Sequence, residues 1–254
     1  MTSRRPAGSS RSPGPDAPAG PLADARAILF DFDGPVTRFF DGYPTEPIAD
    51  EIKILLRERG VPLPATVLDT HDPHRILQLL RSDVFRDGTP GHEDQKTLEL
   101  AEAVVTDHEY RAVADAPLDE HIESLLTTLR RLGKRLVVVS NNAEGPVRAH
   151  LERQHLDTRF ERVFGRDPLE LRHLKPDPHC VLRALDHLGA APRECLLIGD
   201  QLTDLAAADA VGMPFLGYAR SAAEAAQMWR EGAVWAGASL APLRRAADGL
   251  LCRN

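Results

Sequence analysis

Asp31-Phe32-Asp33-Gly34 places two carboxylates two residues apart, directly after the apolar run Ala27-Ile28-Leu29-Phe30. One carboxylate in such a pair can attack an electrophilic centre, and the other can protonate a leaving oxygen and then activate water. Two further acids, Asp200 and Asp204, follow a second apolar run from Cys195 to Ile198. Lys175 lies in Leu174-Lys175-Pro176-Asp177-Pro178, and Ser140 and Asn141 follow the apolar residues Leu136 to Val139. Four carboxylates gathered around one ammonium in a partly desolvated cleft carry a surplus of negative charge that calls for a cation. Hard carboxylate oxygens with no metal-spaced His or Cys select Mg²⁺ over zinc, and Mg²⁺ commonly shares its coordination with water and phosphate. The implied ligand is a phosphate.

These residues need a scaffold that brings them to one edge. Ala27 to Phe30, Leu136 to Val139 and Cys195 to Ile198 read as buried strands, with Pro214 to Tyr218 as a weaker fourth. Helical patterns alternate with them at Ile122 to Leu132, Val147 to Gln154, His179 to Leu188 and Asp204 to Val211. Strand and helix in alternation predict a parallel sheet covered on both faces, with ligands bound beyond the carboxyl ends of its strands. Asp31, Asp33, Ser140 and Asp200 all occupy such ends, and Asp204 falls on the same side of a helix start as Asp200. A simple strand-helix-strand step takes about 30 residues, yet roughly 100 separate the first strand from the second. The surplus reads as helices at Ile48 to Arg59, Pro73 to Leu80 and Glu93 to Ala112, an inserted helical unit.

Composition narrows the field. The 31 Lys and Arg against 38 Asp and Glu give a net charge of −7, which argues against nucleic acid as a partner. The longest charge-free stretch, Gly232 to Leu243, is too short to span a bilayer and contains Pro242, so no membrane span is expected. Cys180, Cys195 and Cys252 are widely spaced and form no CxxC pair, which suits a reducing, cytoplasmic compartment. Thr2 to Pro21 holds five Pro, three Gly and four Ser and no large aliphatic residue, so residues 1–24 are expected to be a disordered tail. Arg4 and Arg5 lack the apolar segment that an export signal would place after them.

The motifs Asp31-Phe32-Asp33-Gly34-Pro35-Val36-Thr37, Ser140, Lys175 and Gly199-Asp200-Gln201-Leu202-Thr203-Asp204 resemble, in order, the four motifs of the haloacid dehalogenase superfamily. The likeness spans about Ala25 to Leu250, and the helical insertion between the first and second motifs is similar to the cap of its phosphoglycolate-phosphatase and β-phosphoglucomutase branch. The resemblance implies an α/β fold, a Rossmann-like doubly wound parallel sheet, with the core at 25–37 and 118–254 and a small α-helical cap at 38–117. It further implies Asp31 as nucleophile and Mg²⁺ ligand, and Asp33 as general acid and base whose backbone carbonyl also meets the metal. Asp200 and Asp204 would complete or support the metal site. Ser140, Asn141 and neighbouring amides would bind the transferring phosphoryl group, and Lys175 would hold both Asp31 and phosphate. The activity implied is a Mg²⁺-dependent phosphatase acting on a small phosphorylated metabolite, as a monomer or homodimer.

Alternatives stay open at this point. A phosphomutase would use the same motifs, and a silent binding module could keep the fold without turnover. A dehalogenase needs no acid and base at Asp33. A Schiff-base mechanism would need a lysine from the insertion, where only Lys53 and Lys96 occur, neither beside the first motif. Pro35 and Arg38 depart from residues common at those positions in the superfamily; Arg38 reads as a hinge residue and Phe39-Phe40 as packing between core and cap. His71, Asp72, His74 and Arg75 form a polar cluster in the insertion, but Pro73 interrupts the helix that would align the two histidines for a metal. They remain candidates for substrate contact.

Overall fold

The computed structural model describes residues 18–40, 42–85 and 90–253. Its centre is a six-stranded parallel sheet of β1 (Ala27–Phe30), β2 (Arg135–Val139), β3 (Arg162–Phe164), β4 (Cys195–Gly199), β5 (Phe215–Tyr218) and β6 (Trp235–Gly237), in the order β3-β2-β1-β4-β5-β6. Strands of a parallel sheet buried on both faces read as continuous apolar runs, so β1, β2, β4 and β5 are legible in the sequence. The edge strands β3 and β6 are three residues each, too short to carry a pattern, and they were not anticipated.

The helices run in chain order as α1 (Ala19–Asp24), then α2 (Glu46–Glu58), α3 (Ala65–Leu68), α4 (Pro73–Leu79) and α5 (His92–Ala112). After these come α6 (Ile122–Arg131), α7 (Glu144–Arg153), α8 (His179–Leu188), α9 (Leu202–Val211), α10 (Ala222–Glu231) and α11 (Ala241–Leu251). Alternate strand residues feed opposite faces of the sheet. Ile28, Phe30, Leu136, Val138, Leu196 and Ile198 pack with α6, α7 and α11. Ala27, Leu29, Val137, Val139, Cys195 and Leu197 pack with α8, α9 and α10. Two apolar layers therefore clamp the sheet and hold its strand ends rigid.

Two boundaries differ most from the sequence reading. The expected disordered tail ran to residue 24, but α1 is helical and buries Leu22, the first large aliphatic side chain after Met1, in the core beside α11. The rest of that tail, residues 1–17, lies outside the described residues. Helix α7 starts at Glu144, ahead of the expected Val147, because Pro146 falls in the first turn, where a missing N–H costs no internal bond.

Helices α2 to α5 bury their own apolar cluster, in which Ile48, Ile52, Ile76, Leu77, Leu98 and Val105 meet. Leu171 and Leu174, from the segment leading to Lys175, join that cluster and tie the insertion to the core. Where the chain leaves and returns, Arg38 N donates to Pro117 O at 3.0 Å and Thr37 Oγ1 to the same oxygen at 2.8 Å. The two connecting segments thus run side by side. No helix among the described residues is long and apolar enough to cross a membrane.

Candidate active site

β1 and β4 are neighbours with Phe30 opposite Ile198, so Asp31 and Asp200 leave adjacent strand ends where the strand order of the sheet reverses. Asp31 N donates to Ile198 O at 2.8 Å, which locks the first loop onto the second strand. Lys175 enters the same space from the segment before α8 and is followed by a cis Lys175-Pro176 bond. Its ammonium donates to Asp31 Oδ1 at 2.8 Å and lies 2.6 Å from Asp204 Oδ1. All three side chains are buried. Carboxylate oxygens of Asp31, Asp200 and Asp204 lie within 4.8 Å of one another.

Glycine makes this crowding sterically feasible. A Cβ on Gly34 would stand 2.5 Å from Asp200 Cγ, and its φ of +112° is a conformation other residues avoid. A Cβ on Gly199 would stand 2.5 Å from Asp204 Oδ2. That oxygen accepts from Asp200 N at 3.1 Å and Gln201 N at 3.0 Å, the free amides at the start of α9. Asp204 therefore caps its own helix with one oxygen and meets Lys175 with the other.

Burial first, then the neighbouring Asp204 and Asp200, push the Asp31 carboxyl well above its ordinary value despite Lys175. Asp200 is pushed up to about 7 by burial and by the charges of Asp204 and Asp33, with Arg220 at 3.2 Å opposing. Burial works against the charge on Lys175, but Asp204 and Asp31 more than offset it and raise its affinity for the proton. Like charges are crowded beyond what one ammonium neutralises. Asp200 Oδ1 is moreover buried without a hydrogen-bond partner. An all-oxygen donor set with an unpartnered buried oxygen fits a hard divalent cation such as Mg²⁺.

The Asp33 carboxylate stands outside the three-carboxylate cluster and accepts from Phe39 N at 2.8 Å. Burial raises its pKa, with the Phe39 amide and the charges of Arg220, His74 and Lys175 acting the other way. Ser140 is buried, and its hydroxyl donates to Asn142 Oδ1 at 2.9 Å. Asn141 exchanges two bonds with Lys175: Lys175 N donates to its Oδ1 at 2.7 Å and its Nδ2 to Lys175 O at 3.3 Å. Asn142, which the sequence reading did not single out, lines the cleft and buries an Nδ2 with no partner. Its signal was only its place beside Ser140 and Asn141.

The cleft has a volume of about 700 Å³. Asp31, Asp33, Asn141, Asn142, Lys175 and Asp204 form its core wall, while Phe40, Thr45, His71, His74, Arg75 and Gln78 face them. His71 and His74 turn to different carboxylates, Glu46 at 3.7 Å and Glu109 at 2.9 Å. Behind this wall, and unforeseen from sequence, Arg166 pairs with Glu109 and Glu102 at 2.8 Å each, with Arg166 and Glu109 fully buried. Asp167, His173 and His179 form a second group of metal-type side chains, but the two rings stack at 3.9 Å and 14°. Nearly parallel rings point their lone pairs alongside each other rather than at one ion.

A family profile described as haloacid dehalogenase-like hydrolase matches residues 25–212, and the chain belongs to that family. A phosphoglycolate phosphatase from Thiobacillus denitrificans is 29% identical over 193 residues, covering 74% of this chain and 81% of its own length. The tyrosine-protein kinase PtkA of Mycobacterium tuberculosis is 28% identical over 202 residues, covering 77% of this chain and 62% of that protein. In fold, the chain is similar to CbbY from Rhodobacter sphaeroides, solved in complex with phosphate, with a TM-score of 0.58 and 23% identity over 88% of this chain and 99% of that one.

Proposed function

We propose that this chain is a Mg²⁺-dependent phosphomonoesterase that acts on a small phosphorylated metabolite through an aspartyl-phosphate at Asp31. The observation that carries the reading is Lys175 bonded to Asp31 inside a buried cluster with Asp200 and Asp204, one of whose oxygens lacks any partner. The likeness to a phosphoglycolate phosphatase supports it.

Asp31, Asp200 and Asp204 would hold the cation, joined by the backbone carbonyl of Asp33. When bound, the cation would neutralise the carboxylates and the phosphoryl oxygens, so that anion can approach anion. Lys175 holds Asp31 in place and adds positive charge for the phosphoryl group. An Asp31 oxygen bonds to phosphorus as the bond to the leaving oxygen breaks, and Asp33, its pKa raised by burial, gives that oxygen a proton. Asp33 then takes a proton from water as the water oxygen bonds to phosphorus and the Asp31 oxygen departs. The backbone amide of Asn141, whose side chain is held by Lys175, and Asn142 Nδ2, buried without a partner, would carry the phosphoryl oxygens, with Ser140 fixing Asn142 from behind. The helical insertion acts as a cap that excludes water and selects the substrate. The protein works in the cytoplasm, a setting that suits its free cysteines.

The test is phosphate release from a panel of small esters, with Mg²⁺ or with chelator, using wild type beside Asp31→Asn. Release that requires both the cation and Asp31 is expected. Release that survives Asp31→Asn would overturn the assignment.

A further inference from the structure

We propose that His74 is a substrate contact, its Nδ1 hydrogen-bonding an oxygen on the leaving group, and that Glu109 is the residue that positions it. The inference rests on the phosphatase reading and extends it to the cap side of the cleft.

Three features orient the imidazole. Asp72 caps α4 by accepting from Arg75 N at 3.1 Å and Pro73 follows, so His74 sits in the rigid first turn of that helix. Phe40 meets the ring edge-on, with centroids 6.3 Å apart and planes at 71°. Nε2 lies 2.9 Å from Glu109 Oε1. Burial acts against the charge on Glu109, but Arg166 and His74 bring its pKa down to about 2. An ionised carboxylate only accepts hydrogen bonds, so His74 Nε2 carries the proton in this contact.

Glu109 is itself immobile. Its oxygens take bonds from Arg166 and, at 2.9 Å, from Ala143 N, the residue after Asn142. The carboxylate thus joins the cap helix α5, the phosphate-side loop and His74. With Nε2 committed, nothing among the described residues hydrogen-bonds Nδ1, while the side chain lines the cleft and its charge bears on Asp33. Asp33 serves the leaving oxygen, so the body of the leaving group lies on the His74 side. Neighbouring candidates fit less well: His71 is mostly exposed, and a guanidinium nitrogen of Arg75 is already taken up by Gln78. A fixed histidine with one free nitrogen accepts from a hydroxyl or, protonated, donates to an oxyanion.

The experiment compares phosphoglycolate with ethyl phosphate, which has the same carbon chain without the terminal oxygens, for wild type, His74→Ala and His74→Gln. A glutamine amide can keep the bond to Glu109 but has no atom at the Nδ1 position. Wild type should favour phosphoglycolate, and both variants should lose about three- to tenfold in kcat/KM on phosphoglycolate, chiefly through KM, while ethyl phosphate changes less than about twofold. Circular dichroism and thermal midpoints verify that both variants fold. An equal loss on both esters, or wild-type discrimination retained by His74→Gln, would mean that His74 only supports the cap and would overturn the proposal. Wild-type protein that releases phosphate from neither ester, or from any other on the panel, would overturn the phosphatase reading and this inference with it.

Discussion

Lys175 and Asp31 are 144 residues apart in the chain and 2.8 Å apart in the fold. The same ammonium lies 2.6 Å from Asp204, so one buried lysine joins the strand end after β1 to the first turn of α9. It arrives from a segment whose neighbours Leu171 and Leu174 are packed in the insertion's own core. The charge geometry of the site is thereby tied to the seating of the insertion.

Lys175→Met should keep much of the volume of the side chain while leaving Asp31 and Asp204 to face each other. Phosphate release is expected to fall about 100- to 1,000-fold, the usual scale for losing one preorganised donor. Thermal melting beside the kinetic assay separates lost chemistry from lost fold. A variant with near wild-type turnover would remove Lys175 from the mechanism.

Stability in chelator should depend on pH through Asp200. Its pKa is raised from 3.8 to about 7, so in that interval the folded protein holds a proton that the unfolded chain has released. Stability from this group is present at the acid end and is lost as pH rises from about 4 to 7. Glu109 acts oppositely in a lower window, since a pKa lowered to about 2 contributes stability that disappears as pH falls below about 4.5. Thermal midpoints between pH 4 and 7 should therefore decline in chelator, decline less in Asp200→Asn, and flatten when Mg²⁺ is added. An unchanged slope in Asp200→Asn would show that another group controls it.

Gly199→Ala tests the fine placement of the acids. The added methyl would stand 2.5 Å from Asp204 Oδ2 and displace a carboxylate that caps α9 and meets Lys175. Activity and Mg²⁺ affinity, the latter measured by calorimetry, should drop about 10- to 100-fold, the scale seen when supporting residues around a metal are disturbed. Wild-type affinity would mean that Asp204 does not act at the cation.

Arg166→Ala should be costly for the fold itself. It would leave Glu109 buried with one cation fewer and release Glu102. Breaking one side of a buried pair costs about 3–5 kcal/mol. The double variant Arg166→Met with Glu109→Gln should lose less than the two single losses combined, because it removes both charges of the fully buried pair together. Denaturant unfolding of wild type, Arg166→Met, Glu109→Gln and the double variant measures this, and strict additivity would argue against the coupling.

Much of the site is legible in sequence because its pieces are local. Asp31, Asp33, Asp200 and Asp204 each follow an apolar run that has to be a strand, and strand ends of a parallel sheet converge at one edge. The internal role of each piece is less legible. Ser140 and Asn141 read alike as phosphate binders, yet in the fold Ser140 turns its hydroxyl to Asn142 and Asn141 clasps the backbone of Lys175. Asp33 reads as a general acid and base that meets the metal only through its backbone carbonyl, and sequence does not say that its carboxylate rests on the amide of Phe39. Such choices depend on one or two ångströms of loop path that residue types do not encode.

The order of the motifs, the continuous apolar strands and the long helical surplus after the first strand were sufficient for the fold class and the hydrolase family, since each follows from short-range pattern. Tertiary structure alone decided that Leu22 belongs to the core and that β3 and β6 complete the sheet. It alone brought Glu109 and Arg166 together behind His74. Those outcomes join segments far apart in the chain, and whether such segments touch is set by how helices and strands pack.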